Sequence, residues 1–82
     1  MTLEQFAREL DGRGYRYMDL VGHREWALAV VGAFDYAVEH GVTIEPRLRR
    51  EAQRLLIDHP GADPDDVEAL TEAIAKMERA AV

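Results

Sequence analysis

Apolar positions recur with helical spacing in four stretches of this chain, and glycines and prolines stand between them. Leu3, Phe6, Ala7 and Leu10 fall at spacings of three and four, which places them on one stripe of a helix over about 3–11. Thr2 followed three residues later by Gln5 is the signature of a capping box. Gly12 is expected to supply the left-handed residue that ends this helix. Residues 15–22 are ambiguous: Tyr15 and Tyr17 alternate with Arg16 as in a short extended piece, while Asp19 suits a helix cap. An extended approach leading into the next helix is the favoured reading.

From Trp26 to Val38 nearly every position is apolar, interrupted by Asp35. A helix apolar on all sides is buried on most of them. This second helix, starting at Leu20 or His23 and closing at His40 with Gly41 just beyond, is expected at the centre of the fold. Ala29, Gly32 and Ala33 would let another helix approach closely, so one side could also form an interface. The third helix, about 46–58, opens with Pro46 behind Glu45 or Thr43 as its cap and buries Leu48, Ala52, Leu55 and Leu56. His59-Pro60-Gly61 stops it, because the residue before proline resists the helical region. In the fourth helix, Asp63 caps, Pro64 takes the first position, and Asp65 and Asp66 suit the positive end of the dipole. Val67, Leu70, Ile74, Met77 and Ala81 form its narrow apolar seam. Together these signals predict an all-α bundle of four helices, at about 3–11, 20–40, 46–58 and 64–80, in a single domain over 1–82. The short connections predict antiparallel neighbours.

Size sharpens this picture. A chain of 82 residues buries only about 60–65% of its unfolded surface, so its stability is expected to be marginal. There is no cysteine, hence no disulfide and no thiolate zinc site to staple it. Small unstapled domains rely on well-packed helices or on a partner subunit, which brings a homodimer into consideration. No apolar run reaches the length of a membrane span, and the N-terminus lacks a basic leader region. The expected location is therefore the cytoplasm of a bacterium. Nine of the ten basic residues are arginine and alanine is abundant, a bias that reads as a GC-rich genome and not as a function.

The net charge of −6 works against nucleic-acid and anionic-membrane binding. That charge is uneven. Residues 47–54 hold four arginines against one glutamate, whereas residues 58–72 hold six acids and no base. Arg47, Arg50 and Arg54 share one helical face. Such a face could lie in solvent, pair with the acidic start of the last helix, meet a protein, or contact phosphates as in a helix-turn-helix regulator. Asp63, Asp65 and Asp66, with Asp58, surround a loop, but their spacing does not match a calcium loop, and helix capping accounts for them better.

Chemistry finds little to work with. Serine and cysteine are absent, and the threonines are residues 2, 43 and 71, the first two at caps. Nucleophilic catalysis by serine or cysteine is thus excluded. His23, His40 and His59 stand far apart, with no helical metal pair. No catalytic residue, metal, cofactor or small-molecule substrate is expected. Tyr15, Tyr17, Trp26, Val30 and Phe34, at or near the start of the most apolar helix, are the candidate protein interface. Arg47, Arg50, Arg54, Asp63, Asp65 and Asp66 are the candidate charged contact face.

The stretch from Arg49 to Pro60, Arg-Arg-Glu-Ala-Gln-Arg-Leu-Leu-Ile-Asp-His-Pro, resembles the ending of certain short uncharacterised bacterial proteins. These carry an Arg-rich, Ala-Leu-Leu helix closed by His or Tyr before Pro, and their preceding helix is similar to residues 23–40 in place and pattern. The resemblance covers about half of the chain. The first helix and the long last helix depart from it, and it implies no activity.

The sequence therefore favours a non-catalytic interaction module, self-associating or binding another protein. The other readings are a nucleic-acid-linked regulator working through the Arg47–Arg54 helix, and a small phage-type acidic inhibitor presenting Asp58 to Glu72 as a phosphate mimic.

Overall fold

Thr2 opens the first helix as its spacing predicts. Its hydroxyl accepts from the Gln5 N–H at 3.2 Å, and the Gln5 side chain accepts from the Thr2 N–H at 2.8 Å. The computed structural model describes residues 1–15, 22 and 24–80. Among these are four helices, α1 (Leu3–Gly12), α2 (Trp26–Glu39), α3 (Pro46–Ala52, continued by a π-helical turn over Gln53–Ile57) and α4 (Pro64–Ala80), and no strand. The fold is all-α, with α2 packed against both α1 and α4. None of the described helices is long and apolar enough to cross a membrane.

Two helix ends show where glycine is needed. After α1 the left-handed residue is Gly14, at φ +87°, and not Gly12, which is still helical. Gly14 donates to the Asp11 carbonyl at 3.0 Å and Tyr15 to the Leu10 carbonyl at 2.9 Å, the paired bonds of a Schellman ending. The helix can run this far because Arg13 sits near φ −89°, a value open to any side chain, and only the next residue must be left-handed. Gly41, at φ +69°, ends α2 in the same way, with Val42 bonded to the Ala37 carbonyl at 2.8 Å.

The start of α2 lies later than the spacing suggests. Gly22 and Arg24 lie in turns, Arg24 at φ 59°, and the first helical residue is Trp26 behind Glu25. A left-handed arginine interrupts the helical path, so the helix cannot extend back through it to Leu20 or His23. Tyr17, Asp19, Leu20 and His23 themselves lie outside the described residues, as does Ala81.

The core is built from all four helices and one loop. Phe6, Leu10, Val30, Phe34, Leu48 and Leu70 are fully buried, and Ile44, between α2 and α3, plugs the same space. Leu48, Ala52 and Leu56 form the buried row of the third helix, while Leu55 is only half-buried. The π turn closes with the Asp58 N–H on the Gln53 carbonyl at 2.9 Å. This wider turn keeps residues four apart in line, so Leu56 and not Leu55 continues the row. In α4, Leu70, Ala73, Ile74 and Met77 are buried and Val67 is half-buried.

Candidate functional site

Of the basic residues of α3, Arg47 turns to α1 and Arg49 donates to the Ile44 carbonyl at 3.1 Å. Arg49 and Arg50 line an open pocket against Ile74 and Glu78 of α4, away from its acidic start. Arg47 donates to Glu9 at 2.9 Å, and Arg13 reaches both the same carboxylate, at 3.3 Å, and Glu45. Glu45, at the start of α3, thus makes no side-chain cap and spends its carboxylate on Arg13. The Arg47 hydrogen bond holds the Glu9 carboxyl below its ordinary range, against a smaller opposing push from burial. Arg54 pairs with Glu51, whose carboxyl it lowers, and donates to the Met1 carbonyl at 3.0 Å. Arg50 is exposed and has no ion pair among the described residues. Two of the three arginines of the candidate contact face are therefore engaged within the chain.

The acidic start of α4 stands apart from them. The Asp63 carboxylate accepts from the Asp65 N–H at 2.8 Å, the capping role its position predicts. Burial, and then repulsion from Asp63 and Asp65, raises the Asp66 carboxyl above its ordinary range. None of the described arginines or the lysine pairs with these three acids.

The aromatic candidates separate. Val30 and Phe34 have no exposed surface and belong to the core, which corrects their reading as interface residues. Their side of α2 is the side that meets its neighbours within the chain. Tyr15 and Trp26 are half-buried against that core, and the Arg8 guanidinium lies over the Trp26 ring at 5.1 Å. Tyr17 lies outside the described residues. His40 stacks on Tyr36 with ring centroids 3.9 Å apart, and its Nδ1 lies 2.9 Å from the Tyr36 carbonyl, while the His59 ring accepts from the Gly61 N–H at 3.0 Å. Both histidines thus hold helix ends. Among the described residues, no three His, Asp or Glu side chains are gathered so as to hold a metal ion.

A different surface stands out on the outer side of α2. Leu28, Asp35 and Glu39 are spaced by seven and four, so they form one stripe. Leu28 keeps 51% of its surface exposed. Beside this stripe, Asp35, Val38 and Glu39 face Ala69, Glu72, Ala73 and Lys76 of α4 across an open groove of about 270 Å³. The groove continues past Val38 and Lys76 to Gly41, Val42, Thr43 and Ala80, where Val42 is 42% exposed. Residue numbers climb together on its two walls, so α2 and α4 run in the same direction, whereas α3 runs against α4. Burial, and then the neighbouring Glu39, raises the Asp35 carboxyl above its ordinary range; Lys76 offsets this only partly, and Glu72 adds to it. Lys76 is itself paired with Glu72 at 3.3 Å.

The sequence pattern concealed this groove. Asp35 reads as a break in an apolar run, and Leu28 as one apolar residue among many. The spacing of Leu28, Asp35 and Glu39 was the available signal. No protein-family model, curated protein or solved structure matches the chain.

Proposed function

We propose that this chain is a non-catalytic protein-interaction module, binding a second copy of itself or another protein. The observation that supports this reading is the exposure of Leu28 on the outer stripe of α2. Leu28 does not stand alone, since Val42, 42% exposed, lies at the end of the groove beside the same stripe. Exposed apolar surface bordering a groove with a charged rim is the kind that a partner covers. The arginine helix supports a nucleic-acid regulator less well, because Arg47 and Arg54 are already bonded to Glu9 and Glu51. Phosphate contacts would have to break those pairs.

Two measurements test this reading. Light scattering across a concentration series gives the molar mass; a dimer that Leu28→Glu converts to monomer identifies self-association. A photo-crosslinking amino acid at position 28, compared with one at exposed Glu4, tests for a foreign partner in the cells that make the protein. A monomer at every concentration, with no adduct specific to position 28, would overturn the proposal.

A further inference from the structure

We infer that the α2–α4 groove binds a basic amphipathic helix of a partner protein, with apolar side chains on Val38, Ala69 and Val42 and lysines or arginines against Asp35, Glu39 and Glu72. This inference rests on the interaction reading and names the partner's chemistry.

Three observations converge on it. The floor is apolar, and two of the exposed large apolar residues, Leu28 and Val42, lie along the same side of α2 and at the far end of the groove. From Ala69 to Ala80 the groove runs roughly 16 Å along α4, the length of about three turns of a docked helix. Its rims carry three carboxylates against one lysine, and that lysine is paired with Glu72. The carboxylates crowd one another without full compensation, so a cationic partner gains where a neutral one does not.

The same charges argue against a second copy in this groove. A symmetric contact would press Asp35, Glu39 and Glu72 against the same three acids. The chain's own basic helix is no substitute, since Arg47 and Arg54 are engaged with Glu9 and Glu51.

The test uses a synthetic 14-residue amphipathic peptide of leucine and lysine, with a leucine–glutamate peptide of the same pattern as control. Titrations of the full chain are followed by amide chemical shifts and by anisotropy. The expected result is saturable binding of the lysine peptide, with shifts centred on Asp35, Val38, Glu39, Val42 and Glu72, weakening as salt rises. Asp35→Lys with Glu39→Lys should weaken it at least tenfold while circular dichroism stays unchanged. Shifts centred instead on Asp63 to Asp66, or equal binding of both peptides, would overturn the inference. So would an unaltered affinity in the folded double variant. A silent lysine peptide together with a specific adduct at position 28 would sink the basic-helix partner and leave the interaction module standing. Silence in both experiments would sink both.

Discussion

Glu9 on α1 and Arg47 on α3 are joined at 2.9 Å across 38 positions of sequence, and Arg13 closes on the same carboxylate from within α1. The cluster fastens the end of the first helix to the start of the third. One oxygen, Oε2 of Glu9, is buried and makes no hydrogen bond. The clasp is therefore strong on one side of the carboxylate and unrewarded on the other.

Glu9→Gln should destabilise the fold by about 0.5–1 kcal/mol, the range of partly exposed ion pairs. Urea unfolding of Glu9→Gln, Arg47→Ala and the double variant measures the coupling between them. The effect should depend on pH with a definite sign. The Glu9 carboxyl lies lower in the folded chain than its ordinary value of 4.5. Its contribution is fully present above that value and is lost as the pH falls through the lowered one. The wild type and Glu9→Gln should thus converge in stability on acidification.

Asp35→Asn should act in the opposite direction. Burial and the acids around it raise the Asp35 carboxyl in the folded chain, so the ionised form is disfavoured there. Stability declines as the pH rises through that raised value. Removing the charge should stabilise the chain slightly at neutral pH, with the gain vanishing in acid. A melting temperature that falls at pH 7 would contradict this.

Gly41→Ala should cost about 1 kcal/mol, because an alanine must hold the left-handed conformation at φ +69°. No atom lies close enough to obstruct the added methyl, so the cost is one of backbone conformation alone. Thermal melts of Gly41→Ala beside Gly12→Ala make the comparison. The latter sits in a helical conformation with open space around it and should be neutral or stabilising.

Leu48→Ala should cost about 2–5 kcal/mol, a large share of a small domain's stability. Leu55→Ala, half-buried on the same helix, should cost only about 1 kcal/mol. Equal losses in urea unfolding would mean that the π turn does not set the buried row as described.

What the sequence determined by itself was local. Caps, breaks and apolar spacing depend on residues within one or two turns of each other. Thr2 with Gln5, Pro46, Asp63 with Pro64, and Gly41 were therefore legible, and with them four helices and a central α2. Events at longer range were decided only by tertiary structure. Whether Arg47 meets Glu9 or Asp63 depends on which way α3 faces once it packs, and its own spacing does not record that. Ile44 reads as a loop residue until the core closes over it. Val30 and Phe34 were indistinguishable from Leu28 in a run apolar on every side, because burial follows from where neighbouring helices lie. Once α1 and α4 had covered one side of α2, Leu28, Asp35 and Glu39 were left on the other, and the groove was formed between elements that no single stretch of sequence contains.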